Sequence, residues 1–262
     1  MKADYVRRMT GIGSTIRQQS GAEPTVCALC KLPRELRNSH VISEFLYEAM
    51  YDDKHRFHAM AVGEYARFEQ KGFREPLLCQ DCETNLSVWE GYAKSLLTGK
   101  IPLKSQQGNG VTWVSGIDYT QFKLFQLSIL WRAGVAAQPF FSRVRLGPHE
   151  DHIRMMLLRG DPGAADRYGC LMWEIRLQGA VATAIIQPTI TRIVSAKGYR
   201  FTFGGYFWAY PVASHRLPEI LRSALLQPSG RMLIGRGDLA KAPFFTQLVA
   251  RLGNTVPTRK RL

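Results

Sequence analysis

Helical spacing of apolar residues is clearest in FREPLLCQDCETNLSVWEGYAKSLLTG. There Leu86, Trp89, Ala93 and Leu96 share one face of a helix that begins at Cys82 and is stopped by Gly99, while Leu77 and Leu78 read as the end of a strand. Upstream, Phe45, Leu46 and Ala49 follow Ser43 at helical spacing, which predicts a capped helix after His40. The charged run from Asp52 to Gly72 has no clean period. DYTQFKLFQLSILWRAGVAAQ predicts a long, strongly apolar helix, and GPHEDHIRMMLLRG a shorter one opening on Pro148 with acids in its first turn, where the helix dipole favours them. Strands are expected in YGCLMWEIRL, AVATAIIQPTITRIVS and YRFTFGGYFWAYPV, with Gly204 and Gly205 as a turn or bulge. Two closing helices are expected in LPEILRSALLQ and APFFTQLVARLG.

These elements predict an α+β fold. The stretch GKIPLKSQQGNGVTWVSG, rich in Gly, Gln and Ser, divides it, giving a basic leader over residues 1–24, a first module over 25–98, a linker over 99–116, and a mixed α/β domain with an antiparallel sheet over 117–262. At 262 residues and 45% hydrophobic content the chain is long and apolar enough to bury a core. The N-terminus lacks an apolar signal-peptide core, and nowhere do 18 uncharged apolar residues follow one another, so a cytoplasmic protein without a membrane partner is expected.

Charge sharpens the picture. The net charge is +14, yet residues 41–90 hold ten acidic against five basic side chains, so the remainder carries +19. An acidic insert set in basic surface suits a metal-dependent enzyme acting on a polyanion; a simply basic, solvated surface is the plainer explanation. In residues 91–262, 23 basic side chains face eight acids, a balance that points to nucleic acid held through its phosphates. The aromatic run GYRFTFGGYFWAYPV is either a stacking platform for unpaired bases or, as is commoner, sheet core. The domain over 117–262 is also a candidate surface for a protein partner.

Without a secretory signal, five cysteines argue against a disulfide scaffold. Cys27 and Cys30 form one Cys-x-x-Cys pair, Cys79 and Cys82 another, and Cys170 in its apolar strand reads as a small buried hydrophobe. Two such pairs supply a closed tetrathiolate shell for a structural Zn²⁺, leaving no open position for catalysis at that ion. A redox dithiol is the rival reading, although such pairs ordinarily occur singly at a helix start.

The succession Cys27-x-x-Cys30, then Ser39-His40-Val41-Ile42, then Leu78-Cys79-x-x-Cys82-Glu83 resembles the HNH endonuclease superfamily, the treble-clef ββα-metal nucleases, over residues 25–97. The resemblance implies phosphodiester hydrolysis, in DNA, with His40 as general base and a second divalent ion, Mg²⁺ or Mn²⁺, at the scissile phosphate. By association it also implies a role in bacterial antiphage defence or mobile elements. Two positions depart from the family pattern. Ser39 stands where a metal-binding aspartate is usual, and Glu83 where histidine or asparagine is usual. Glutamate is a good oxygen ligand and serine a poor one, so Glu83 is the first candidate for the catalytic ion. Glu90, seven residues on along nearly the same helix face, is the second, and Asn38 is placed to orient the histidine or meet phosphate. Each has a plainer role: His40 as a packed imidazole, Glu83 as a dipole-favoured residue, Glu90 as a solvated one. The alternative function is a catalytically inactive, zinc-stapled module that binds nucleic acid or protein.

Overall fold

A computed structural model of the chain describes residues 25–61, 67–108, 111–177, 180–181, 185–194 and 196–238. The basic leader, the expected helix APFFTQLVARLG and the basic tail lie outside these residues.

A knuckle over residues 25–33 leads into β1 (Leu36–His40). β2 (Arg56–Met60), β3 (Arg67–Gln70), β4 (Arg74–Cys79) and α1 (Gln80–Leu97) follow. A hairpin of β5 (Lys104–Gly108) and β6 (Val111–Ser115) precedes α2 (Tyr119–Val135) and α3 (His149–Arg159). Then come β7 (Leu171–Leu177), β8 (Ala180–Val181), β9 (Ile185–Ile193), β10 (Ala196–Phe203), β11 (Tyr206–Pro211), α4 (Glu219–Ala224) and β12 (Met232–Asp238). β1 and β4 pair only with each other. The other ten strands form one sheet in the order β3-β2-β9-β10-β11-β7-β12-β6-β5, with β8 on β7. Most neighbours are antiparallel, but β12 runs parallel to β7 and β2 parallel to β9. The architecture is mixed α/β, and the expected antiparallel sheet is a mixed one.

Two local expectations fail for identifiable reasons. The chain after His40 makes two short 3₁₀ turns, Glu44–Leu46 and Glu48–Met50, in place of a capped α-helix. Ser43 makes no cap bond, its hydroxyl accepting from the buried Arg132 instead, and Tyr47 is turned wholly inward against Phe57 and Phe73. The stretch read as a linker holds β5 and β6. Every residue of β5 is exposed, so the strand carries no alternation to read; β6 alternates, with Thr112 and Val114 facing in.

The long helix lies where its apolarity demands. α2 is capped by Asp118, whose Oδ1 accepts the Gln121 N–H at 2.9 Å, and it buries an unbroken run from Phe122 to Ala133 between α1 and α3. The aromatic run is sheet core. Gly204 and Gly205, at φ +59° and +80°, make the turn between β10 and β11 that residues with a Cβ resist. Tyr199, Phe201, Phe203, Trp208 and Tyr210 are buried, and the Phe203 and Trp208 rings stack at 5.0 Å. Cys170 is buried as expected, and burial pushes its thiol pKa up. No helix among the described residues is long and apolar enough to cross a membrane.

Candidate metal centre and the histidine beside it

The four paired cysteines meet through three short elements. The knuckle closes as Cys27 N–H donates to Leu32 O at 3.0 Å and Lys31 N–H to Cys27 O at 2.9 Å, with Lys31 in the left-handed region at φ +62°. Ala28 N–H then ties it to Leu77 O of β4 at 3.0 Å. Cys79 ends β4 and Cys82 lies in the first turn of α1, so strand and helix present both sulfurs to the knuckle. All four ligand atoms fall within 4.8 Å of one another.

This spacing fits a metal. Sulfurs at 2.3 Å from a tetrahedral zinc stand roughly 3.8 Å apart, and Cys30 Sγ and Cys79 Sγ are 3.9 Å apart. All five cysteines are free, so neither pair is a disulfide. Electrostatics agrees with geometry. Burial opposes ionisation of Cys27, but N–H groups of Cys30, Cys79 and Leu29 aimed at its sulfur bring the thiol down to about 7. Burial and the neighbouring sulfurs push Cys82 strongly the other way. A crowd of thiols in which one ionises readily and another resists is stabilised by a dication that turns mutual repulsion into shared attraction. The chain is a mixed α/β protein with a four-cysteine cluster able to chelate a metal ion.

No family model, curated protein or solved structure matches the chain.

The strand after the knuckle positions the histidine. β1 pairs antiparallel with β4, Leu36 opposite Cys79 and His40 opposite Arg74, with a bulge between Arg37 and Asn38. Ser39 serves the bulge. Its hydroxyl, in a residue 2% exposed, accepts the Leu78 N–H at 3.1 Å and donates to Arg37 O at 3.3 Å. Ser39→Ala leaves that buried N–H without a partner and is expected to cost about 1–3 kcal/mol, read as a lowered denaturation midpoint at unchanged slope. With Ser39 inward, the pleat sends Asn38 and His40 to the opposite face.

His40 is half-buried among charges. Its Nε2 accepts from Arg74 Nε at 2.7 Å, and Arg74 Nη2 donates to Glu44 Oε1 at 3.2 Å. A guanidinium only donates, so Nε2 carries the lone pair and the proton of the neutral ring sits on Nδ1. Burial first, and Arg74 next, lower its pKa from the ordinary 6.5, against Glu44 and Glu90. As the pH falls below 6.5 the unfolded chain therefore takes up a proton that the folded chain refuses. Stability drops through that window until the native pKa is reached. An NMR titration should place the His40 midpoint below 6.5, and Arg74→Gln should raise it.

Arg132 completes the arrangement from α2. It is 1% exposed, donates through Nη1 to His40 O at 2.8 Å and through Nη2 to Ser43 Oγ at 3.3 Å, and its Nη2 lies 2.6 Å from Glu90 Oε1. Glu90 is thus an ion-pair partner of a buried arginine, and its link to His40 runs through that arginine. Glu83, next to Cys82 on α1, has Oε1 enclosed without a hydrogen-bond partner among the described residues. The charges that act most strongly on His40 are Arg74, Glu44, Glu90 and Arg132.

Asn38 is exposed and lines an open cleft of 410 Å³ with Lys71, Gly72, Arg74 and Gln138. Gly72, at φ +73°, brings backbone so close to Tyr47 and His40 that a Cβ there would lie 3.0 and 3.3 Å from their rings. Arg74, Arg132 and Lys71 escaped the sequence reading. Arg132 had a usable signal, a lone cation inside the apolar run LSILWRAG.

Proposed function

We propose that the protein is a zinc-stapled module that binds nucleic acid through its phosphate backbone without cutting it. The observation that carries this reading is the state of His40: its lone pair is occupied by Arg74, and the carboxylates around it, Glu44 and Glu90, are paired with Arg74 and Arg132. Among the described residues, the four cysteines are the one group of three or more His, Cys, Asp or Glu side chains able to hold a metal. Mg²⁺ or Mn²⁺ beside His40 would have to compete with Arg74 for Glu44 and with Arg132 for Glu90. The adjoining cleft presents Lys71 and Arg74 with the amides of Asn38 and Gln138, donors suited to phosphate oxygens, against one lining carboxylate, Glu69.

The order of knuckle, antiparallel β1 and β4, and α1 with cysteines at the junctions supports an HNH-like, treble-clef module over residues 25–98. That likeness and the neutral imidazole favour a second reading, an HNH-type nuclease in which His40 accepts the proton of an attacking water. Arg74 would have to leave Nε2 first.

The test is binding of labelled duplex, single-stranded DNA and RNA over a range of salt, alongside cleavage with Mg²⁺, Mn²⁺ or chelator. Affinity should fall linearly with salt on logarithmic axes, and Lys71→Gln should reduce the slope by about one with no strand cut in any metal. Metal-dependent cleavage abolished in His40→Ala would establish the nuclease instead. Salt-independent or undetectable binding would overturn the nucleic-acid partner and direct attention to a protein.

A further inference from the structure

We propose that the cavity between the C-terminal end of α1 and the sheet is a binding site for a small amphipathic anion, a carboxylate carrying a short chain or a single ring. It lies apart from the cleft beside His40 and shares no lining residue with it.

Strand register builds its floor in two rows. Thr112 of β6 lies opposite Ile234 of β12, and Ile234 beside Met172 of β7. Two residues further along, Arg236 of β12 lies beside Glu174 of β7, and Glu174 opposite Tyr206 of β11. Residues two apart on a strand face the same way, so the apolar row and the polar row open into one space. Leu96 and Leu97 from the last turn of α1, with Ile117 and Phe122, complete an apolar enclosure, while the exposed Ser105 and Arg236 stand at its rim. The volume is 200 Å³. A dry cavity of roughly 150 Å³ accepts benzene, so one ring or a chain of about six carbons fits.

The sign of the ligand's charge follows from the polar row. Arg176 Nε donates to Glu174 Oε1, and Arg236 Nε lies 3.9 Å from the same oxygen, too far for a hydrogen bond. Glu174 Oε1 thus accepts from Arg176, while among the described residues the Arg236 side chain donates no hydrogen bond, which leaves a guanidinium at the rim for an anion to engage. Tyr206, opposite Glu174 across the strands, lines the same end of the cavity. The second polar feature is Thr112. It is 6% exposed, and its Oγ1 is enclosed with no hydrogen-bond partner, against the rule that buried hydroxyls are satisfied. A carboxylate would draw on Arg236 and supply an acceptor to Thr112, while its apolar body displaced water from the aliphatic walls.

The full zinc-loaded chain should be titrated calorimetrically with hexanoate, hexan-1-ol and hexylamine, with binding located by methyl chemical shifts. Hexanoate is expected to bind with a Kd of roughly 0.1–1 mM, ordinary for so few atoms, and to move the methyl signals of Leu96, Leu97 and Ile234. Hexan-1-ol should bind about tenfold more weakly. Arg236→Gln, at an exposed position that leaves the core intact, and Thr112→Val, which keeps the side-chain shape, should each weaken hexanoate several-fold while melting like the parent chain. Hexylamine binding as tightly as hexanoate, shifts elsewhere on the protein, indifference to Arg236→Gln, or no binding of hexanoate in the millimolar range would each overturn the proposal.

Discussion

Replacing Cys79 with serine is expected to unfold the N-terminal part of the protein. Elemental analysis should find one equivalent of zinc in the parent and none in the variant, which should also lose amide exchange protection in the knuckle, β1 and β4. The reason is how little backbone pairing holds these pieces, although Leu29, Leu77 and Leu78 pack into the main core and Arg154 donates to Leu29 O. The knuckle contributes only a few backbone bonds, and β1 pairs with β4 alone. A two-stranded sheet is marginal in water without support. Structural zinc supplies about 10–16 kcal/mol to small modules of this kind, comparable with the whole ~5–15 kcal/mol stability of an ordinary domain. Because the ligands are thiolates, acid should have the same effect as the mutation, with protons displacing the metal. If a chelator strips the metal and exchange in residues 27–33 and 77–82 stays slow, the cluster is not what holds the module together.

Arg132→Met is expected to be the most damaging change outside the cluster, at about 3–5 kcal/mol. The arginine is 1% exposed and serves two carbonyls, the hydroxyls of Ser43 and Ser128, and the Glu90 carboxylate at 2.6 Å. Methionine fills most of its volume but strands a charge and a carbonyl in low dielectric. For a chain of this size that corresponds to a melting temperature lower by about 10 °C. Removing both charges together in Arg132→Met with Glu90→Met should restore much of the loss, because the cost lies in the unpaired partner more than in the pair itself. Arg132→Lys should not, since one ammonium cannot reach the divergent acceptors that a planar guanidinium spans. A double variant no more stable than the single one would show that packing at this site matters more than charge.

What the sequence discloses here follows the range of each interaction. The cysteine pairs are legible because each is a local device, two thiols three residues apart whose chemistry is the same wherever the chain takes them. α2 is legible because an apolar run of that length has one home. The helix expected after His40 is not formed, since the spacing of Phe45, Leu46 and Ala49 competes with the demand that Tyr47 enter an aromatic cluster and Ser43 meet Arg132. β5 is illegible in principle: KSQQG lies at a sheet edge with both faces in water and takes its conformation from β6. The same holds for the site. His40 stands out by its place between the cysteine pairs, but what decides its chemistry is Arg74 across a strand pair and Arg132 from a helix 92 positions later, and no local pattern announces that either meets the histidine.

One helix joins the two features for which binding is argued. At 18 residues α1 runs about 27 Å, with Cys82 in its opening turn and Leu96 and Leu97 roofing the cavity at its far end. A stiff rod pinned at one tip transmits tilt to the other. A metal at the cluster and a guest beneath the roof would thus act on one lever, and loss of either should be felt at the far end of α1.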